Sequence, residues 1–269
     1  MKKIAIIGTG YVGLVSGAGL SEFGHQVICT DIDQTKISRL ESGVIPIYEP
    51  GLKSLVHSNV SAGRLSFSSD PASAIISSDI IFIAVGTPQA ENGEADLSAV
   101  KAVAETISDN LNSYKIVSTK STVPVGTGKW IESIISSHNS QTKFDYVSNP
   151  EFLREGSSIK DFMYPDRIVI GTRTKKSYEI MKEVYRPLFI NETPLLDVTV
   201  ETAEMIKYAS NAFLALKISY INEIANLCEA VGADVHQVAR AMGKDGRISP
   251  KFLHPGPGFG GSCFPKDTQ

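Results

Sequence analysis

Three glycines near the start of the chain have a spacing that suits the binding of a diphosphate. Gly8, Gly10 and Gly13 lie in "GTGYVG", directly after an apolar run typical of a buried strand and directly before a segment typical of a helix. In this context the first glycine forms a tight turn, the second admits a pyrophosphate, and the third lets the helix pack on the strand. The helix N-terminus also attracts phosphate charge. The motif predicts a dinucleotide-binding turn, and the alternative is a glycine-rich strand–helix turn that binds nothing.

Asp31 stands at the end of the next predicted strand, 23 residues after Gly8. A carboxylate there accepts hydrogen bonds from the ribose hydroxyls of the adenosine half, and its charge repels the 2′-phosphate of NADP. We therefore expect NAD as the cofactor. Lys36 either approaches the same ribose or is a solvated helix lysine.

The glycine- and proline-rich end of the chain, "PGPGFGGSCFPKDTQ", places Cys263 in a loop. Glycine lets backbone come close to a ligand because no Cβ intervenes, so this segment has the character of a site. The three cysteines, Cys29, Cys228 and Cys263, form no C-x-x-C pair and have no nearby Cys/His cluster. We therefore expect neither disulfides nor a metal site.

Two threonines follow predicted strands on the side of the sheet where a cofactor would bind. Thr87 lies in "GTP" (86–88) and Thr122 in "STVPVGT" (121–127), both placed to meet the nicotinamide half. An ordinary turn or helix cap is the alternative for each.

Charged residues occur in two further segments. The loop "NPEFLREG" (149–156) offers Glu151, Arg154 and Glu155, and the alternative is a solvated charged turn. Lys207 and Asn211 stand four residues apart in a helical segment and so share one face, where solvated side chains are the alternative.

Alternating strands and helices must position these residues. Strands are predicted at "KKIAIIG", "HQVICTD", "DIIFIAVG", "YKIVSTKST", "FDYVSNP" and "DRIVIG", with helices between most of them, including 98–111, 125–137 and 175–186. This alternation predicts the α/β class, with a Rossmann-like, doubly wound parallel sheet that binds ligands at the carboxyl ends of its strands.

A long helical stretch from about Glu201 to Val231 follows, and then a second helix near 234–242. We expect residues 1–198 to form an NAD-binding domain and residues 199–269 to form a central helical domain that carries the cysteine loop. Apolar residues surround much of the long helix, more than one intrachain face requires, so we expect a homodimer.

The composition of the chain limits the classes of binding partner and the cellular location that we expect. The chain has 26 basic and 29 acidic residues, which gives no broad cationic face for nucleic acid or an anionic membrane. The N-terminus has no charged-then-apolar leader, and no apolar run approaches the roughly 18 residues that span a bilayer. We expect a cytoplasmic protein.

Several segments together resemble the nucleotide-sugar dehydrogenases. They are "GTGYVG", "PIYEPGL", "STVPVGT", "NPEFLREG", "PDRIVIG", "EMIKYASNAFLALKISYINEIANLCE" and "GFGGSCFPKDT", and they span the chain from end to end. The resemblance implies a four-electron oxidation of an alcohol to a carboxylate with two NAD molecules and no free aldehyde, in nucleotide-sugar and polysaccharide biosynthesis. UDP-glucose is the expected substrate, giving UDP-glucuronate; GDP-mannose and UDP-N-acetylmannosamine are the alternatives.

The resemblance also implies roles for individual residues. Cys263 would act as a thiolate that forms a thiohemiacetal and then a thioester, and the alternative is a small buried loop cysteine. Lys207 would stabilise the oxyanion with Asn211 beside it, Asp267 and Thr122 would hold a catalytic water, and Glu151 would be the base in thioester hydrolysis. The cofactor residues would be Gly8, Gly10, Tyr11, Val12, Gly13, Asp31, Lys36, Thr87, Thr122, Glu155 and Lys266. The substrate residues would be Glu151, Phe152, Leu153, Arg154, Lys207, Asn211, Phe252, Leu253, His254, Pro255, Gly256 and Gly260.

The chain departs from the family pattern in two ways. The family commonly has a polar aromatic residue and asparagines where this chain has "KFLHPGPGFGG". The family also carries a further lobe after the cysteine loop that holds the uridine, and this chain has none. We therefore expect a fragment with little or no turnover of its own.

Two hypotheses from other classes stay open. A two-electron β-hydroxyacid dehydrogenase also places Lys and Asn four apart on a helix but needs no cysteine. An NAD-binding or dimerisation module without turnover is the other.

Overall fold

The computed structural model describes residues 1–138, 142–260 and 264–268. The chain forms two compact units, one of Met1–Thr87 with Asp96–Met205 and the other of Pro88–Ala95 with Ile206–Gln269. The domain change expected between residues 198 and 199 stays a prediction.

The first unit is built on a sheet that has eight strands within the described residues. They are β1 (Lys3–Ile7), β2 (Gln26–Thr30), β3 (Leu65–Ser68), β4 (Ile80–Ile83), β5 (Lys115–Thr119), β6 (Phe144–Ser148), β7 (Ile168–Thr172) and β8 (Leu195–Val198). Their order across the sheet is β3-β2-β1-β4-β5-β6-β7-β8. This order reverses between β1 and β4, as in a doubly wound sheet, and such a reversal opens a crevice for ligands at the carboxyl ends of the strands.

All neighbouring strands are parallel except β6 and β7, which pair through Val147 with Thr172 and Ser148 with Gly171. The chain returns from the end of β6 through the 149–156 loop and one short helix, so β7 starts at the sheet edge where β6 ends. The predicted Rossmann-like α/β class is confirmed, with this one antiparallel pair as the difference.

Helices pack on the sheet of the first unit. They are α1 (Tyr11–Glu22), α2 (Gln34–Glu41), α3 (Leu52–Ser61), α4 (Pro71–Ser77), α5 (Ser98–Asn110), α6 (Thr127–His138), α7 (Ser158–Met163) and α8 (Lys175–Val184), with a 3₁₀ turn at Arg186–Asn191. Asp33, Asp70 and Thr174 cap the starts of α2, α4 and α8, each accepting a hydrogen bond from a backbone N–H of the first turn.

Two apolar core layers result from the alternation of side chains along each strand. Ile4 and Ile6 of β1 lie in one layer, which includes Leu14 of α1, whereas Ala5 and Ile7 lie in the other. Full burial of an isoleucine contributes about 1.5–3 kcal/mol. The continuous apolar run in "KKIAIIG" is therefore explained by burial on both faces of the sheet.

The second unit contains most of the long helix α9 (Val200–Val231), together with α10 (Val235–Met242) and α11 (Phe264–Asp267). The predicted long-helix region is thereby confirmed. Ile221, Ala239 and Leu253 form a small buried core in this unit. Other apolar side chains of α9 are exposed; they are Met205, Phe213, Leu216, Tyr220, Leu227 and Val231.

Helix α9, with 32 residues, does not have the apolar composition of a membrane span. No other helix in the part of the chain that the structure describes meets the length and apolarity of such a span either.

Candidate active site

The glycine turn between β1 and α1 contains two glycines that leave no room for a side chain and one that faces open space. A Cβ on Gly8 would lie 2.6 Å from the carbonyl oxygen of Ala84, and a Cβ on Gly13 would lie 1.9 Å from that of Gly8. Gly8 also has a φ of 106°. A Cβ on Gly10 would meet no atom within 4 Å. Gly10 therefore leaves space at the start of α1, where the helix dipole favours a phosphate, so the turn fits a dinucleotide.

Asp31 follows β2 and its carboxylate is held by several donors. Its Oδ2 accepts hydrogen bonds from Thr9 N at 2.9 Å, Thr9 Oγ1 at 2.7 Å and Lys36 Nζ at 2.9 Å. Its Oδ1 accepts one from Asp33 N at 3.1 Å. Burial opposes ionisation, but the bonds from Lys36 and Thr9 outweigh it and lower the pKa of Asp31 to about 2. The structure thus brings the predicted residues Asp31 and Lys36 together as an ion pair.

The threonines predicted to meet the nicotinamide half lie side by side. Thr87 Oγ1 donates a hydrogen bond to the carbonyl oxygen of Thr122 at 2.8 Å, and Ser121 Oγ donates to that of Val85 at 2.7 Å. These bonds tie the segment after β4 to the segment after β5. Parallel strands end at one edge, so both segments lie at the carboxyl edge of the sheet.

A buried carboxylate fixes the loop that carries Thr122. Glu204 accepts hydrogen bonds from the backbone N–H groups of Gly126 and Gly128, each at 2.7 Å. It satisfies donors that α6 leaves without an intrahelical partner. Burial raises the pKa of Glu204, against the opposing effect of these two bonds. We did not predict this residue from the sequence, where it reads as an ordinary helix glutamate.

The 149–156 loop holds the predicted base and a predicted sugar contact. Glu151 is half-buried, and its Oε2 accepts a hydrogen bond from Leu153 N at 2.6 Å. Arg154 is exposed and binds Asp161, with N and Nε each 2.9 Å from Oδ2. The Asp161 carboxylate holds the pKa of Arg154 above its usual value.

Other side chains of this loop differ in exposure. Phe152 is half-buried beneath Arg167, whose guanidinium carbon lies 3.6 Å from the centre of the ring. Burial lowers the pKa of Arg167. Glu155 is exposed.

Tyr11 joins the glycine turn to this loop. Its hydroxyl donates a short hydrogen bond to Glu49, and the carbonyl oxygen of Arg154 lies 3.4 Å away. Burial, followed by the bond to Glu49, raises the pKa of Tyr11 to about 12. Val12, the other predicted cofactor residue of the motif, is half-buried in the first turn of α1.

In the second unit, Lys207, Asn211 and Asp267 are buried polar residues. Asn211 Nδ2 donates a hydrogen bond to Asp267 Oδ2 at 2.7 Å. Lys207 lies one helical turn before Asn211 on α9, so the predicted pair does share a face. The predicted nucleophile, Cys263, lies outside the described residues, and so does the side chain of Lys266.

The segment before the cysteine loop has mixed exposure. Leu253 packs in the small core, whereas His254 is exposed. Phe252 has a φ of 65°, and its ring centre is 6.2 Å from that of Phe264. Gly256 N donates to Asn222 Oδ1 at 2.9 Å, a contact that the sequence did not predict. Of the remaining predicted sugar residues, Pro255 is half-buried and Gly260 is exposed.

Thr9 and Glu49 are two further residues that we did not predict. Thr9 is the variable position between two motif glycines, and the sequence gives no signal for its bonds to Asp31. Glu49 lies inside "PIYEPGL", a segment used only for the family resemblance. Within residues 1–138, 142–260 and 264–268, no three His, Cys, Asp or Glu side chains are grouped so that they could hold a metal ion.

Two family models match successive parts of the chain. Residues 2–189 match the NAD binding domain of the UDP-glucose/GDP-mannose dehydrogenase family, and residues 201–269 match its central domain. The chain belongs to this family. The glycine turn, Asp31 and Lys36 thus lie in an NAD binding domain, and Lys207, Asn211 and Asp267 lie in the family's central domain.

Individual members of the family are similar in sequence to this chain over nearly its whole length. A UDP-glucose 6-dehydrogenase of Rhizobium meliloti is 59% identical over 99% of the chain. The solved structure of a UDP-glucose dehydrogenase from Pyrobaculum islandicum is 42% identical over 99% of the chain, with a TM-score of 0.96. A GDP-mannose dehydrogenase structure from Pseudomonas aeruginosa is 39% identical over 98% of the chain, with a TM-score of 0.88. The chain spans 62% of the length of each of these relatives.

Proposed function

We propose that the chain provides the cofactor site and the catalytic cysteine of an enzyme that oxidises UDP-glucose to UDP-glucuronate. The 59% identity to a protein named UDP-glucose 6-dehydrogenase is the observation that carries this proposal. The reaction turns the C6 alcohol into a carboxylate and takes up one water. Four electrons leave the substrate, which corresponds to two NADH and three protons per sugar.

NAD would be held by the glycine turn, with its pyrophosphate against Gly10 and the start of α1. Asp31 would accept hydrogen bonds from the adenosine ribose, and Lys36 would keep that carboxylate fixed. Thr87 and Thr122 would flank the nicotinamide half. When bound, NAD would supply the hydride acceptor for both oxidation steps.

Cys263 would be the nucleophile. Its thiolate would add to the C6 aldehyde, so that the intermediate stays covalently bound as a thiohemiacetal and later as a thioester. Lys207 would stabilise the oxyanion and favour the ionised thiol, with Asn211 as a neutral donor beside it. These roles rest on the family resemblance and on the residue types.

Hydrolysis of the thioester would use carboxylates. Glu151 would act as the base, with Asp267 and Thr122 holding the attacking water. The 2.7 Å bond from Asn211 would orient the Asp267 carboxylate in this role. Phe152 to Arg154 and the 252–256 segment would contact the sugar.

Helix α9 would form the interface of a homodimer. Its exposed side chains Phe213 and Leu216 are each 61% accessible, which is unusual for large apolar residues. A second copy of the same helix face is the partner that we propose.

A substrate panel tests the proposed activity in the natural full-length protein. We expect kcat/KM for UDP-glucose to exceed that for GDP-mannose and for UDP-N-acetylmannosamine by at least tenfold, with UDP-glucuronate as the product. A preference for GDP-mannose would instead support the substrate named for the Pseudomonas aeruginosa relative. A substrate that releases one NADH and an aldehyde or ketone would contradict the proposal.

A further inference from the structure

Glu49 connects three separate segments of the first unit. Its carboxylate accepts hydrogen bonds from Gly156 N at 2.8 Å and Ser158 N at 2.9 Å, which follow it by 107 and 109 residues. It also accepts the hydrogen bond from the Tyr11 hydroxyl. The glycine turn, the "PIYEPGL" segment and the end of the 149–156 loop therefore meet at one side chain.

Glu49 is buried, and its charge is retained there. Burial opposes ionisation, but the bonds from Tyr11, Gly156 and Ser158 outweigh it and lower the pKa of Glu49. Tyr11, with its raised pKa of about 12, stays protonated and so remains a donor at neutral pH. The three bonds are charge-assisted, which makes them stronger than bonds between neutral groups.

Two other contacts involve side chains in the middle of this loop. Arg154 and Asp161 form an ion pair, but the Arg154 side chain is 63% exposed, and exposed pairs contribute little. Arg167 covers the ring of Phe152 and restrains the start of the loop. At the end of the loop, Gly156 has a φ of 83° and its N–H points to Glu49.

We propose that Glu49 is a positioning residue, which holds the 151–156 loop in its active conformation and links that loop to the cofactor turn through Tyr11. The kinetic part rests on the proposed function, because it treats Glu151, Phe152 and Arg154 as residues that serve the nucleotide sugar. Glu49 itself touches neither substrate nor cofactor in this account.

Hydrogen exchange on the 269-residue chain tests the structural part without any substrate. Glu49→Gln keeps the shape of the side chain but replaces one acceptor oxygen by an NH₂ group, which cannot accept a hydrogen bond, so the side chain can hold only one of the two amides. We expect at least one of the amides of Gly156 and Ser158 to exchange at least tenfold faster in Glu49→Gln. Unchanged exchange at both amides would overturn the proposal.

A second tyrosine–carboxylate pair of the same unit supplies matched controls. Tyr114 donates a hydrogen bond to Asp145 Oδ2 at 2.6 Å, and Asp145 also accepts one from Thr174. Asp145→Asn and Tyr114→Phe should leave exchange at Gly156 and Ser158 unchanged. Tyr11→Phe removes the hydroxyl that contacts Glu49 and the Arg154 carbonyl oxygen but leaves the Glu49 carboxylate in place, and it should raise exchange at Gly156 at least threefold. The same increase in Tyr114→Phe would indicate a general loss of stability and would overturn the proposal.

Steady-state kinetics of the full-length protein test the functional part. In Glu49→Gln we expect KM for UDP-glucose to rise at least fivefold, while Kd for NAD changes by less than twofold. A lower kcat with unchanged KM would indicate only a smaller folded fraction and would overturn the positioning role. If UDP-glucose is not oxidised by the unmodified protein, the proposed function fails, whereas the exchange results still decide whether Glu49 holds the loop.

Discussion

Lys36 donates a hydrogen bond to Oδ2 of Asp31 across 2.9 Å, directly beyond the end of β2. Thr9 donates two more bonds to the same oxygen, so the Asp31 carboxylate is fixed and ionised. A fixed negative charge at this point repels a phosphate on the adenosine ribose.

The first prediction concerns the choice of cofactor. The chain should bind NAD at least tenfold more tightly than NADP, which corresponds to about 1.4 kcal/mol. Asp31→Ala should abolish this preference, because it removes the repelling charge and leaves the Lys36 ammonium to attract a 2′-phosphate. Calorimetry measures both affinities, with Asp145→Asn as a control that keeps the preference. Equal affinities in the unmodified chain would refute the assignment of Asp31.

The second prediction concerns acid stability. The pKa of Asp31 is about 2 in the folded chain, below the ordinary value of 3.8. A lowered pKa stabilises the folded state above the unfolded-state value, and this stabilisation is lost as the pH falls from about 3.8 towards 2. Urea unfolding should therefore show a larger loss of unfolding free energy between pH 5 and pH 3 in the unmodified chain than in Asp31→Asn. Equal losses would mean that Asp31 is not held in this ion pair.

The sheet was predictable from the sequence where burial left a continuous apolar run. Strands β1, β2 and β4 to β7 lie where such runs predicted them. Strand β3, "LSFS", alternates polar and apolar residues over only four positions, and β8 is partly exposed, so neither has the pattern of a buried strand. The antiparallel pairing of β7 depends on the path of a loop, which hydrophobic periodicity does not encode.

The glycine spacing is visible in the sequence because backbone geometry demands that residue type. Gly8 and Gly13 have no room for a side chain, and that requirement appears directly as a spacing. The partners Thr9, Glu49 and Glu204 could not be predicted, because their hydrogen bonds join segments that meet only after folding. Glu49, for example, binds backbone more than 100 residues away.

The third prediction separates the two kinds of glycine in the turn. Gly13→Ala places a Cβ against the carbonyl oxygen of Gly8 and should cost about 1–3 kcal/mol of unfolding free energy. Gly10→Ala meets no atom within 4 Å and should leave stability within about 0.5 kcal/mol. Gly10→Ala should nevertheless weaken the binding of NAD at least tenfold, because the added methyl group fills the space for the pyrophosphate. Unchanged NAD affinity in a folded Gly10→Ala chain would contradict the proposed cofactor position.

The fourth prediction concerns oligomeric state. Sedimentation at micromolar concentration should show a dimer of the 269-residue chain. Replacing Phe213 and Leu216 together by Ser should shift it to monomer, because both large side chains are exposed on α9. Tyr164→Ser removes an exposed aromatic residue of the first unit and should leave the dimer intact. A chain that sediments only as monomer would exclude the proposed interface.

The proposed four-electron oxidation depends on Cys263, and the number of NADH molecules released per sugar distinguishes it from a two-electron oxidation. With UDP-glucose limiting and NAD in excess, the natural full-length protein should release two NADH per sugar. Cys263→Ser should lose this paired release, since no thioester can form, while its Kd for NAD stays within twofold of the unmodified value. One NADH per sugar in the unmodified protein, or two per sugar at a near-normal rate in Cys263→Ser, would contradict the account.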